Sequence, residues 1–288
     1  MPLLAHSPEV HEPRLKLFMY GEPGVGKTMA AIQFPRSYII DAERGTDHYA
    51  ETIARSGSVV LKTTSHSELV DQLRALLSEK HDYRTLVIDP ISTIYSELLD
   101  ECERKVGDTN ARHFGEAQKH MKRIVNLLTA LDMNIVVTAH AKPEYGPNLI
   151  RMGTTFDGWR RLPYVFDVVV QLMRDGRDAG ARRMARVEKS RIPSFPDGDV
   201  FEWSYDAIKA RYPQATLERD AGPVPLAEPE QVRRVESLIS QLSPERVESL
   251  KVDRWFSKAG VSEWSDMPAD IIAKCIARLE QEVLRPAA

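Results

Sequence analysis

Lys27 and Thr28 close the stretch GEPGVGKT, which fits G-x-x-x-x-G-K-[ST] at every fixed position. That spacing has a chemical reason. Gly21, Gly24 and Gly26 let the chain curl until backbone N–H groups converge on a phosphate, with Glu22, Pro23 and Val25 completing the turn. A lysine placed as Lys27 reaches β- and γ-phosphates, and a hydroxyl placed as Thr28 ligates Mg²⁺. Met29 follows directly and belongs to the same binding segment. The pattern also needs an acid at the end of another strand. TLVIDP supplies Asp89, expected to hold the magnesium through water. A second acid, Glu43, ends the run SYIIDAE and is the candidate base for activating a water. ATP and Mg²⁺ are therefore the expected ligands.

The elements that must position these groups are legible as alternation. LKLFMY, SYIIDAE, VVLKTT, TLVIDP and NIVVTAH are short apolar runs, most ending at a polar residue, and read as buried parallel strands. HSELVDQLRALLSEK and GEAQKHMKRIVNLLTALDM carry apolar positions at helical spacing. Alternation of this kind predicts an α/β sheet with helices on both faces. FDVVVQLMRDG, ARRMARVEKSR and DVFEWSYD follow without long helices between them and are expected as antiparallel additions. Residues 1–13 read as a leader, 14–220 as the core, 221–229 as a Pro-rich linker and 230–288 as a small all-α C-terminal module. In the last, Ser243-Pro244 starts a helix with a capping serine and proline in the first turn.

With strand and helix flanking the phosphate loop, IIDAE resembles the strand of RecA-type recombinases that ends in their catalytic glutamate. The resemblance covers about 14–205. It implies a RecA-like P-loop NTPase core, with a mostly parallel sheet flanked by helices, and Glu43 polarising the attacking water. It implies adenine contacts from Asp47 and Tyr49. It implies that His140, at the end of NIVVTAH, senses the γ-phosphate as the family's glutamine does and signals to a DNA-binding loop. It implies that Lys189 and Arg191, in ARVEKSRIPSF, reach a neighbouring subunit's ATP, hence a homo-oligomer with interfacial ATP sites. The chain is similar to the compact RecA-like ATPases of bacteriophages that act with annealing and recombination systems. A cytoplasmic location follows, in the host cell if the protein is phage-encoded.

The segment between His140 and Phe166 is long for a connection in a compact domain. Lys142, Arg151, Arg160 and Arg161, interleaved with Tyr145, Phe156 and Trp159, suit single-stranded DNA, because cations track the backbone and rings stack on any base. ERKVGDTNARHFGEAQ is a lesser candidate for a first DNA loop. The module after Pro229 has 9 Lys/Arg against 10 Asp/Glu, so it is expected to dock a single-strand binding or annealing protein rather than DNA.

Composition narrows the classes. A net charge of -3 requires any nucleic-acid surface to be local. No run approaches the apolar length of a membrane span, so no membrane association is expected. Cys102 and Cys275 match no metal spacing and read as reduced thiols. Two other readings compete: an AAA+-type helicase loader and a nucleotide-gated interaction module. Many AAA+ ATPases carry glutamate after the strand-ending aspartate, where this chain has Pro90.

Overall fold

A computed structural model describes residues 12–107, 111–149, 151–176 and 180–285. The strands are β1 Lys16–Gly21, β2 Ser37–Asp41, β3 Val59–Lys62, β4 Thr85–Asp89, β5 Asn134–Tyr145, β6 Arg151–Phe156, β7 Val168–Asp175, β8 Arg182–Ser190 and β9 Val200–Glu202. They lie in the order β3-β2-β4-β5-β1-β7-β8-β9, with β6 paired to β5. The six from β3 to β7 run parallel. The leader expected at 1–13 lies outside the described residues except for its last two. Of these, Glu12 accepts from the Thr216 hydroxyl at 2.6 Å.

The helices are α1 Lys27–Ala31, α2 Ala50–Arg55, α3 His66–Ser78, α4 Ile91–Val106, α5 Arg112–Ala130, α6 Tyr205–Lys209, α7 Gln214–Leu217, α8 Pro229–Ser240, α9 Pro244–Leu250, α10 Val252–Ala259 and α11 Ala269–Leu284. Side-chain alternation sorts the strands onto two faces. Phe18, Ile40, Ile88, Ile135 and Val137 face one way and bury against α3, α4 and α5. Leu17, Met19, Ile39, Val87 and Val136 face the other, with Ala30, Ala31 and Phe34 from the α1 side. Both cores are buried on both sides of the sheet, which is why the strands are nearly continuous apolar runs.

Three expectations need correction. First, β7 runs parallel to β1, pairing Leu17 with Val168 and Gly21 with Leu172; of the three expected antiparallel additions, β8 and β9 are antiparallel. The segment ahead of β7 carries the chain back to the amino ends of the strands, so the next strand enters in the same direction. Second, the long segment after His140 is not a plain loop. β5 continues to Tyr145 and folds back on β6 as a hairpin, with Ala141 opposite Phe156. Third, Ile91–Val106 forms the 16-residue helix α4, and ERKVGDTNARHFGEAQ, outside the undescribed 108–110, is mostly the end of α4 and the start of α5. The free cysteines are both buried. No described helix is long and apolar enough to cross a membrane.

The Pro-rich segment at 221–229 is not a loose tether. The Val224 N–H donates to Leu77 O, the Ala227 N–H to Met267 O, and Ala221, Val224 and Leu226 pack on the core. Beyond it, α8 and α11 enclose a separate apolar cluster around Val235, Leu238, Ile272 and Leu279. Buried Asp266 fastens this module to the sheet domain, accepting from Arg123 Nε at 2.7 Å and Nη2 at 2.9 Å, with Arg74 Nε at 3.3 Å. Removing one partner of a buried pair leaves its mate uncompensated, at a cost of about 3–5 kcal/mol. Asp266→Ala should therefore loosen the module. Limited proteolysis should cut 221–229 faster than in the parent, with the sheet domain still intact.

Candidate nucleotide site

The parallel strands all end on one side, and the site forms there. β1 delivers Gly21 into the turn, Val25 is buried beneath it, and α1 begins at Lys27. Gly26 has φ 94°, a backbone conformation that a side chain strains. Lys27 Nζ donates to Gly21 O at 3.0 Å and Glu22 O at 3.1 Å, so the ammonium lies across the turn. Burial, its largest influence, lowers the Lys27 pKa, while Asp89, Glu43 and Glu22 oppose that shift. A cleft of about 680 Å³ opens over the turn, lined among others by Lys27, Thr28, Met29, Glu43 and Asp89.

Asp89 ends β4 and is buried. Its Oδ2 accepts from Thr28 Oγ1 at 2.6 Å, and its Oδ1 accepts from the Thr138 hydroxyl on β5. Burial pushes the Asp89 carboxyl up, against those two hydrogen bonds. A hydroxyl and a carboxylate in contact form a hard-oxygen pair of the kind magnesium takes, usually keeping several of its waters. Gly45 supports the same reading. A Cβ built there would stand 3.1 Å from Thr28 Oγ1 and 3.9 Å from Asp89 Oδ2, so its bare backbone leaves room at the pair.

Glu43 is positioned by a carboxylate that is not part of the cleft's lining. Asp41 ends β2 fully buried and accepts from the N–H groups of Glu43 (3.1 Å), Gly45 (3.1 Å) and Thr46 (2.9 Å), and from the Thr46 hydroxyl. Those bonds shape the turn that aims Glu43. Its Oε1 accepts from the Thr93 hydroxyl on α4, and its Oε2 lies 3.2 Å from His140 Nε2. His140 stands where β5 leaves the parallel sheet for the hairpin. Ser92 clamps that junction, accepting from the His140 N–H at 2.8 Å and donating to Asp157 O at 2.8 Å.

The remaining expected residues divide. Tyr49 lines the cleft, but Asp47 is turned outward and bound by Lys62. Lys142 is exposed on the hairpin and engaged by Asp157 at 2.9 Å. Tyr145, Arg160 and Arg161 are exposed, whereas Phe156 and Trp159 pack on the core, Phe156 edge-on to Phe18 at 5.1 Å. Both rings are partly buried against that core. The Arg151 backbone is in β6, and its side chain lies outside the described residues. Lys189 and Arg191 sit at the opposite end of the sheet, where Lys189 pairs with Val169. Lys189 donates to Pro163 O at 3.0 Å and to Phe166 O, and Arg191 donates to Tyr164 O. Three strand residues, about 10 Å, separate the level of Lys189 from the turn at Gly21, so the pair, engaged at the far end, does not reach its own phosphate loop.

Sequence reasoning missed Asp41, Ser92 and Thr138, which act on Glu43, His140 and Asp89 through short polar contacts, and Gly45, whose N–H binds Asp41 and whose bare backbone leaves room at Thr28 and Asp89. It also missed Arg174 and Arg183, which line the cleft from the β7–β8 hairpin. The signal for them was strand parity, since Arg174 shares alternation with buried Leu172, and Arg183 with Ala185 and Val187.

Residues 14–192 match the model of a family described as AAA domain. No curated protein matches the chain. Among solved structures, a KaiC-like protein from the hyperthermophilic archaeon Pyrococcus horikoshii OT3 aligns at 16% identity. The alignment covers 62% of this chain and 81% of that one, with a TM-score of 0.39.

Asp41→Ala should release the turn carrying Glu43. Hydrogen bonds to a charged group contribute about 1.5–3 kcal/mol each, and the freed N–H groups reach water in part. Urea unfolding should show a loss of about 2–3 kcal/mol, in the range of a broken polar network. A midpoint equal to the parent's would show that Asp41 does not hold this turn.

Proposed function

The chain belongs to this AAA-domain family, and from that premise we propose that it hydrolyses ATP with magnesium while engaged on single-stranded DNA, in recombination or annealing of the bacteriophage type. The observation that carries the reading is the meeting of Lys27, the Thr28–Asp89 pair and Glu43 in one cleft at the ends of the parallel strands. Backbone N–H groups of the turn and Lys27 hold the β- and γ-phosphates. Thr28, with Asp89 behind it, would hold the magnesium, which would supply charge neutralisation at the phosphates when bound. Glu43 accepts the proton of the attacking water, and its contacts with Thr93 and His140 fix the direction it faces. Tyr49 flanks the base.

The DNA part of the proposal is supported by continuity of the backbone. His140 touches Glu43, and the next residue, Ala141, already pairs within the β5–β6 hairpin. A change of charge at the phosphates therefore reaches the hairpin through one strand and the Ser92 clamp. Lys142, Arg160 and Arg161 supply exposed cations along this segment, and Tyr145 an exposed ring. The distance of Lys189 and Arg191 from their own loop supports a role at the phosphates of a second copy, in a homo-oligomer with interfacial sites. The helical module is proposed to dock a single-strand binding or annealing protein. Pro90 and the location of Glu43 favour this reading over a helicase loader of the AAA+ type.

Lys27→Ala should abolish hydrolysis and weaken ATP binding, because it removes the point charge of the loop. Glu43→Gln should retain ATP and hydrolyse it about 10²–10⁴-fold more slowly, the usual range of general-base assistance. Nucleotide binding by calorimetry and phosphate release together separate the two roles, and parental turnover in either variant would contradict them. For DNA, Arg160→Ala with Arg161→Ala should flatten the salt dependence of single-strand binding. Each lost phosphate contact reduces the slope by about 0.7. An unchanged slope would place the DNA path elsewhere.

A further inference from the structure

We infer that Arg183, seconded by Arg174, is the cation that meets the terminal phosphate of the nucleotide bound in its own chain. The inference rests on the nucleotide reading above and adds to it a group that neither the motif nor the strand-end acids supply.

The placement follows from register and parity. β1 and β7 are paired so that Gly21, where the phosphate loop begins, lies opposite Leu172. Two residues on, Arg174 projects to the same face as Leu172, the face that carries α1. Across the β7–β8 ladder Arg174 is paired with Arg183. Arg183 shares its parity with Ala185 and Val187, which are buried in that same α1-side core. Both arginines are thus brought beside the loop by the two strands that extend past it. Both line the cleft with Lys27, Thr28 and Glu43. Arg183 lies against the loop itself, since a Cβ built at Gly26 would stand 3.2 Å from its guanidinium carbon.

Among the described residues neither Arg174 nor Arg183 has a salt bridge or a side-chain hydrogen-bond partner. The adjacent arginines differ. Arg182 is held by Asp175 at 2.6 Å and Glu202 at 3.8 Å, and Arg186 by Glu188 and Gln171. Two like charges placed opposite one another on a ladder repel. That arrangement is stabilised when an anion sits between them, and a guanidinium offers a forked set of donors suited to phosphate oxygens. Lys27 lies across the same turn and lines the same cleft, so the tail of a triphosphate would meet the lysine and the arginines together. A diphosphate lacks the group that the arginines would meet.

The test measures ATP and ADP binding by calorimetry and phosphate release for the parent, Arg183→Ala, Arg183→Lys and Arg182→Ala. Loss of a preorganised donor to developing charge costs about 10²–10³-fold in turnover. Arg183→Ala should lose that much and bind ATP about tenfold or more weakly. Its ADP affinity should stay near the parent's, which also reports that the site is folded. Arg183→Lys should recover part of the rate, and Arg182→Ala, facing away and already paired, should keep the parental rate. Mixing Arg183→Ala with Glu43→Gln subunits should restore nothing, because each chain would lack one half of its own site. Parental turnover in Arg183→Ala would overturn the inference. Rescue on mixing would overturn it too, by showing that the arginine serves a neighbour. If the parent itself binds no nucleotide, the underlying reading fails first, and that result is told apart by the parent's own calorimetry.

Discussion

The top of the sheet is organised around one buried carboxylate. Asp89 accepts from Thr28 at the start of α1 and from Thr138 on β5, while its backbone carbonyl accepts from the Ala42 N–H just past β2. Four elements are thereby fixed to one residue: the phosphate loop, the strand before Glu43, the strand before His140, and β4 itself. An ionised carboxylate without partners is costly to bury, so the two hydroxyls are part of what allows it there. The same requirement explains why neither hydroxyl is free to point elsewhere, and hence why the Thr28–Asp89 pair is preorganised.

From that constraint the functional layout follows in layers. Asp41, one strand over, shapes the turn that carries Glu43, and Glu43 faces both Thr93 and His140. The phosphate side and the hairpin are then joined by consecutive residues of one strand, β5, at His140 and Ala141. The charge distribution follows a similar division. Arg174 and Arg183, unpaired among the described residues, stand over the loop, while Lys189 and Arg191 cap carbonyls around a short turn at Leu162–Tyr164 on the far side. Burial lowers the pKa of Lys189, as expected for an ammonium drawn under its own backbone.

What was legible in the sequence was whatever depends on local pattern. The phosphate loop is a contiguous motif, and four of the five expected strands are buried apolar runs; β3 is parallel as expected but lies at the sheet's edge, partly exposed rather than buried. Residues whose importance comes from tertiary contact were not legible. Asp41 reads as one more strand-ending acid until its four donors are seen. Thr138 reads as a β-branched strand filler. Phe156 and Trp159 looked like stacking rings because composition does not say which face of a hairpin packs inward, and here Phe18 and its neighbours claim them. β7 was expected to be antiparallel because a short, helix-free connection usually joins antiparallel neighbours. The β6 return and the turn at Leu162–Tyr164 do the work of a crossover helix instead. The helical module was visible as pattern, but its fastening through Asp266 depends on arginines more than a hundred residues away.

The central claim is that events at the phosphates are coupled through β5 to single-stranded DNA. The most direct measurement is the steady-state rate of ATP hydrolysis with and without a single-stranded oligonucleotide at saturating magnesium. The account predicts that the oligonucleotide raises the rate, and that double-stranded DNA of the same sequence does so less. Equal rates under conditions where binding of the single strand is independently measured would contradict it, leaving an ATPase whose nucleotide cycle and hairpin are unconnected.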